Sequence, residues 1–349
     1  MAPKPFPASR ILVRATNWVG DAVMSLPAIR ALRERYPRAH LAVLARPWVA
    51  GLYGREKAID QVIPYTVPGG FRNWADRRRA AAQLRDFDCA ILLPNSFDAA
   101  LVAWMAGIHT RIGYRRDGRG WLLTAAVPPP EPGDTPRHER FYYLELLRRA
   151  GILDEYPPAA CIRLDGIEDA RAAGRDRLRE AGIEGPVIGV SPGAAYGGAK
   201  RWPAERFAAA ADRIAAETGA SVALFGSAGE REVCDSIASA LGAPAHNFAG
   251  GTGLGEFVEL AAACTVFLTN DSGAMHIASA LGVPTVAIFG ATDDTTTGPT
   301  GPLARVVREH VECSPCLRRE CPIDHRCMTR VPADRVSRVA LDLLHGATK

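Results

Sequence analysis

Four short polar stretches carry the residue types that could do chemistry. The first is Asn270-Asp271-Ser272-Gly273-Ala274, with His276 just beyond, set where a hydrophobic run over 265–269 gives way to a helical pattern. The first turn of a helix leaves N–H groups unpaired at the positive end of a dipole, which suits an anion and phosphate above all. Asp and Ser are also favoured N-caps, so a plain capped helix is the alternative there. The second stretch, from Gly193 to Lys200, is rich in glycine. Backbone N–H groups of such a loop can approach phosphate closely, and Lys200 adds a point charge. Ala199 before the lysine and Arg201 after it break the P-loop signature. The third, Gly226 to Glu230, sets Glu230 near a helix start, where a carboxylate can bind ribose hydroxyls or simply complement the dipole. The fourth is Asp21, directly after Gly20 at a strand-to-helix turn. Its ordinary role is an N-cap; a carboxylate facing an interdomain cleft could instead serve as general base.

Four of the eight cysteines, Cys313, Cys316, Cys321 and Cys327, fall within fifteen residues. That density has metal-ligand character, but the spacing lacks the paired CxxC form. A structural zinc site and a loop of reduced thiols are both compatible with it. Cys89, Cys161, Cys234 and Cys264 lie in apolar surroundings and read as reduced core residues.

Alternating strands and helices position these stretches. Strands are expected at 11–14, 41–45, 62–65, 89–93 and 111–114, and again at 160–164, 186–190, 221–225, 245–248, 265–269 and 284–289. Helical patterns fill the intervals, with Pro27 expected to kink or restart the first of them. The pattern implies two doubly wound α/β domains, in which ligands bind at the carboxyl ends of the strands. All four polar stretches stand at strand exits. The boundary is placed at the Pro157-Pro158 pair, giving domains 1–160 and 161–349, with the last helix free to pack back on the first.

The charge is uneven. Residues 1–160 carry 23 Lys and Arg against 15 Asp and Glu, or +8; residues 161–349 carry 19 against 23, or −4. A basic half suggests a phosphate-bearing partner or an anionic surface, with arginines gathered at 77–79, 111, 115–116, 119 and 148–149. No apolar run is long enough to span a bilayer, and MAPKPFPASR lacks the apolar core of a signal peptide, so a cytosolic protein is expected. No GxGxxG follows either first strand, which argues against a dinucleotide redox cofactor.

Gly20-Asp21, PGAAYGGAKRWP, FGSAGE and TNDSGAMHIASALGVPTVAIFG together resemble the ADP-heptose glycosyltransferases of lipopolysaccharide core synthesis, over nearly the whole chain. The chain is most similar to the enzymes of the second heptosyl transfer, with the tail ECSPCLRRECP also in common. First-transfer enzymes resemble a DTG version where this chain has Asp271-Ser272-Gly273. The resemblance implies a GT-B type fold of two facing Rossmann-like domains, acceptor on the first and ADP-heptose on the second. It implies Asp21 as catalytic base and Lys200 on the donor phosphates. The donor set it implies is Gly193, Lys200, Glu230 on the ribose, Thr252 near the adenine, and Asp271, Ser272, Gly273 and Ala274 at the diphosphate; His276 faces the donor or is a buried structural residue.

The implied reaction is inverting transfer of L-glycero-D-manno-heptose to the first heptose of the inner core, with no cofactor required. The implied acceptor is a heptosyl-Kdo-lipid A type glycolipid at the cytoplasmic face of the inner membrane of a Gram-negative envelope, where an Arg-rich face suits peripheral contact. The first transfer, or another core-sugar transfer, is the alternative within this class. A nucleic-acid-binding protein with a four-cysteine module is the alternative outside it; against that, the cysteines lie in the acidic half and no RNA-binding aromatic motif is present.

Overall fold

The computed structural model describes residues 8–68, 73–158 and 162–346. The chain divides into two compact units after Ala159. The first holds a parallel sheet of β1 (Arg10–Arg14), β2 (His40–Ala45), β3 (Gln61–Pro64), β4 (Cys89–Leu92), β5 (Thr110–Tyr114) and β6 (Ala125–Val127) in the order β3-β2-β1-β4-β5-β6. The second holds β7 (Val187–Ser191), β8 (Ser221–Leu224), β9 (Ala245–Asn247), β10 (Val266–Asn270), β11 (Thr285–Phe289) and β12 (Ala304–Arg308) in the order β12-β11-β10-β7-β8-β9. Each is a doubly wound Rossmann order, with its switch point beside the unit's first strand.

The central strands read as apolar runs because helices cover both faces of a parallel sheet. Ile11, Leu12 and Val13 of β1, and Val266, Phe267 and Leu268 of β10, are at most 1% exposed. Register levels the strand ends: Arg14 lies opposite Leu44 and Leu92, and Thr269 opposite Ser191 and Ala287. The exits of neighbouring strands therefore share one edge of each sheet.

Several expectations are corrected or completed here. The helix Val19–Arg35 runs unbroken through Pro27. Strands β6 and β12 complete the sheets but carry weak signals, one inside a Pro-rich connection and the other short and half-buried. The described part of the run at 160–164 forms no strand; Leu164 donates its N–H to the Ala280 carbonyl at 3.0 Å. Residue 160 and Cys161 lie outside the described residues. The last helix, Ala333–Gly346, packs within the second unit, where Val336, Ala340 and Leu343 join Phe207 and Ile214 in one core. Cys89, Cys234 and Cys264 are buried, and burial raises all three thiols, Cys234 to about 12.

The basic first half is only partly a surface property. Arg77 is buried and its Nε donates to Asp98 at 2.7 Å. Arg119 is fully buried and forks onto the carbonyls of Tyr114, Pro94 and Ser96. Arg111 donates to the Leu122 carbonyl at 2.6 Å, and Arg148 and Arg149 both clasp the buried carboxylate of Glu145. Of the arginines that stood out in the sequence, Arg78, Arg79, Arg115, Arg116 and Arg148 are exposed.

Candidate functional site

In the second unit, β10 ends in Asn270, whose amide ties two strand exits together. Its Nδ2 donates to the Pro192 carbonyl at 2.6 Å, and its Oδ1 accepts from the Trp202 N–H at 3.0 Å. Asn270 is fully buried, so the Gly-rich loop after β7 is bracketed on both sides by one side chain. Between those brackets Lys200 reaches Asp271, Nζ to Oδ2 at 2.5 Å, and the Thr292 hydroxyl donates to the same oxygen at 2.5 Å. The lysine and aspartate side chains are 12% and 5% exposed. A buried carboxylate needs such partners, since a lone one would carry an unrelieved desolvation cost.

The helix Gly273–Ala280 begins immediately after this pair. Ser272 occupies its N-cap in extended geometry without a side-chain capping bond; its hydroxyl lies 3.1 Å from that of Thr269. Asp271 is taken up by Lys200 and Thr292. Side-chain capping, the alternative expected at this turn, is therefore not what the structure shows at Ser272. Backbone donors of Gly273 and Ala274 sit at the positive end of the helix, beside a lysine. His276 is buried within the same helix.

Glu230 does two things at the exit of β8. Its Oε2 accepts from the Ser227 N–H at 2.7 Å and hydroxyl at 2.9 Å, closing a capping box before the helix Arg231–Ala240. Its Oε1 lies where a Cβ on Gly193 would stand only 1.9 Å away, so Gly193 is required for the two loops to meet. Thr252 is half-buried after β9, in a loop whose Gly250 N–H donates to the Gly226 carbonyl at 2.9 Å. The structure thus brings Gly193, Lys200, Glu230, Asp271 and the Gly273 helix start to one sheet edge, with Thr252 on the neighbouring loop.

In the first unit, Trp18 is the N-cap of the helix Val19–Arg35, and Asp21 is the helix's third residue rather than its cap. The buried Tyr143 hydroxyl is hydrogen-bonded to Asp21; burial first, then the charges of Asp21 and Glu139, hold that phenol well above its ordinary range. The Glu139 carboxyl is itself pushed up, by desolvation and then by Asp21 against a pull from Arg116, although the residue as a whole is exposed. Asp21, Glu139 and Tyr143 thus form one electrostatically linked group at the start of this helix. Trp48 donates its Nε1 to the Asn17 carbonyl at 2.8 Å, which brings it to the turn that precedes Asp21, and both Trp18 and Trp48 are exposed.

The cysteine segment lies against the loop that carries Lys200. Cys313 is exposed, Cys316 and Cys321 are half-buried and Cys327 is buried; all four are free thiols. Burial, then the neighbouring thiols, raises Cys327 to about 11. Among the described residues no group of three or more His, Cys, Asp or Glu is arranged to hold a metal ion. The segment braces the Lys200 loop. The Ala199 N–H donates to the Arg319 carbonyl at 2.9 Å, the Gly198 N–H to Glu320 at 3.0 Å, and the Tyr196 hydroxyl to the Leu317 carbonyl at 2.8 Å. His325 Nε2 lies 2.9 Å from the Ala199 carbonyl, and Tyr196 in turn sits under Lys200, 4.8 Å from ring centroid to Nζ.

Sequence reasoning missed Thr292, Asn270 as a clamp, Glu139 and Tyr143. Glu139 and Tyr143 are four residues apart at the start of a helical pattern, which places them on one face. Thr292 lies one loop beyond the motif, where no local pattern announces it.

Residues 77–326 match the family model for glycosyltransferase family 9 (heptosyltransferase). Lipopolysaccharide heptosyltransferase 2 of Escherichia coli (strain K12) is 37% identical over 309 residues, covering 86% of this chain and 88% of that protein. Lipooligosaccharide heptosyltransferase 2 of Haemophilus influenzae is 32% identical over 314 residues, covering 85% and 88%. The solved structure of E. coli ADP-heptose lps heptosyltransferase II superposes with a TM-score of 0.82 at 32% identity, covering 97% of this chain and all of that one.

Proposed function

The chain belongs to glycosyltransferase family 9, the heptosyltransferases, with a GT-B type fold, and we propose that it performs the second heptosyl transfer of the lipopolysaccharide inner core. The donor is ADP-heptose and the acceptor the first heptose of a heptosyl-Kdo-lipid A type glycolipid. Relatives named heptosyltransferase 2 favour this reading over the first transfer. Family membership also displaces the nucleic-acid-binding alternative.

The observation that carries the mechanism is Lys200 held by Asp271 beside a helix start that lacks a side-chain capping bond. The diphosphate of the donor rests on the N–H groups of Gly273 and Ala274, with Ser272 at the turn. Lys200 swings from Asp271 toward a phosphate oxygen, and Thr292 keeps the carboxylate hydrogen-bonded. Glu230 holds ribose hydroxyls through Oε1, and Thr252 lies toward the adenine. Gly193 lets the β7 loop approach that ribose carboxylate. Asp21 accepts the proton of the acceptor hydroxyl as its oxygen bonds to the anomeric carbon. The bond from that carbon to the diphosphate oxygen breaks on the opposite face, ADP keeps the electron pair, and the centre inverts. Charge grows on the leaving diphosphate, and donors already in place stabilise it without reorganisation. Tyr143 orients the base.

The acceptor lipid brings the enzyme to the anionic inner leaflet, and the positive balance of the first unit favours peripheral contact there. No helix among the described residues is long and apolar enough to cross a membrane. The deciding experiment supplies ADP-heptose with defined truncated acceptors and reads the linkage formed. Transfer to an acceptor ending in heptose, and none to one ending in Kdo, is the expected result. The reverse preference would assign the first transfer instead.

A further inference from the structure

Five of the six tryptophans lie in the first unit, and all five, Trp18, Trp48, Trp74, Trp104 and Trp121, are about half exposed or more; Trp202 of the second unit is 2% exposed. A ring so large is ordinarily well buried in a folded protein. Three aromatic rings gather on one face. Trp104 and Trp121 meet edge-on with centroids 6.4 Å apart, and Phe97 lies 6.1 Å from Trp121. Trp121 is 68% exposed, yet its turn is held from below by the guanidinium forks of the buried Arg119. The rings are thus presented by a fixed turn.

The charge around them is positive. Arg115 and Arg116 are exposed, and the Arg115 stem lies so close to Gly120 that a Cβ there would stand 3.1 Å from its Cγ. Two exposed carboxyl groups stand near them, Asp117 next in the chain and Glu139 within electrostatic reach of Arg116, which leaves Arg115 as the cation nearest the rings. Rings with an apolar body and a polar edge, next to arginines, match the headgroup layer of an anionic bilayer. We propose that Trp104, Trp121 and Phe97, with Arg115, form the surface by which this enzyme docks on an anionic lipid bilayer. The proposal rests on the reading that the acceptor is a membrane glycolipid, and it names the face that meets the membrane.

The test is sedimentation of the full chain with phosphatidylcholine vesicles, with and without phosphatidylglycerol, across a salt series. The wild type is expected to bind the anionic vesicles and to release with salt. W104S/W121S should bind about tenfold more weakly, from the loss of ring burial. R115Q should lose about fivefold, and only on the anionic vesicles. Transfer to a water-soluble, deacylated acceptor should be unchanged in both variants, because Trp104, Trp121 and Arg115 are not placed in the reaction site. Wild-type binding that survives undiminished in W104S/W121S overturns the docking face and leaves peripheral contact standing. No wild-type binding at all overturns both. Lost transfer to the soluble acceptor would give the rings to the acceptor sugars, and a dimer in solution abolished by W104S/W121S would give them to a second copy of the chain; either result overturns the proposal.

Discussion

Replacing Lys200 with methionine keeps the stem and removes the charge, and the structure sets the size of the result. Lys200 and Asp271 form a largely buried pair at 2.5 Å, so the variant strands a carboxylate that is 5% exposed. Breaking such a pair from one side costs about 3–5 kcal/mol. Thr292 still donates to the same oxygen, which places the loss near 3 kcal/mol. At about 2–4 °C per kcal/mol for a domain of this size, the melting temperature should fall by roughly 6–12 °C. Catalysis should fall separately, by about 10²–10³ in kcat, the usual effect of losing one preorganised donor at a developing anion. The double variant K200M/D271N removes the stranded charge, so stability should largely recover while turnover does not. Thermal unfolding by near-ultraviolet dichroism and ADP release from ADP-heptose measure the two effects. A K200M enzyme that turns over within about threefold of wild type would refute leaving-group stabilisation by this lysine.

Asp21→Asn should lower transfer by about 10²–10⁴ while ADP affinity, measured calorimetrically, stays as it was, since the base acts on the acceptor and Tyr143 can still donate to the amide oxygen. Full activity would remove Asp21 from the mechanism. Gly193→Ala drives a methyl into the Glu230 carboxylate, so ADP affinity should weaken about tenfold, the worth of one charged hydrogen bond; unchanged affinity would mean Glu230 does not touch the nucleotide. Glu145 tests stability against pH. Burial alone would raise its carboxyl, but Arg148, Tyr156 and Arg149 bring it down from 4.5 to about 2. A depressed carboxyl contributes stability above its unfolded value and loses it as pH falls from 4.5 towards 2. Glu145→Gln should therefore be less stable than wild type at pH 7 in urea unfolding, with the difference closing across that window.

Local signals were strong where a residue's role is set by its own strand and turn. The apolar runs of β1, β7 and β10 marked buried parallel strands, and the glycines at 193, 197 and 198 marked a loop that must pass close to other groups. The run at 270–274 was legible as a strand-to-helix turn for the same reason, with β10 ending at Asn270 and a helix starting at Gly273. Partners far along the chain were not. Thr292 reaches Asp271 across a whole strand, and the segment at 317–325 braces the Lys200 loop from more than a hundred residues away. Nothing in the spacing of the four cysteines announces a brace; the carbonyls of Leu317 and Arg319 and the carboxylate of Glu320 reveal it.

Charge counted by half misdirects in one further respect, because the two sheets use the same strand order but finish their carboxyl edges differently. In the basic unit, Arg14 at the end of β1 is 3% exposed and gives its donors to the carbonyls of Ala15 and Leu44 and to Asn17; burial lowers it to about 10. Arg46 after β2 gives its Nη1 to the carbonyls of Tyr65 and Val67. Those cations lock loops. In the acidic unit, the helix after β10 opens without a side-chain capping bond, and one lysine beside it is held by a single carboxylate that a phosphate can replace. Anion-binding capacity follows the donors that backbone carbonyls have not already taken, which is why the proposed diphosphate site lies in the unit whose net charge is negative.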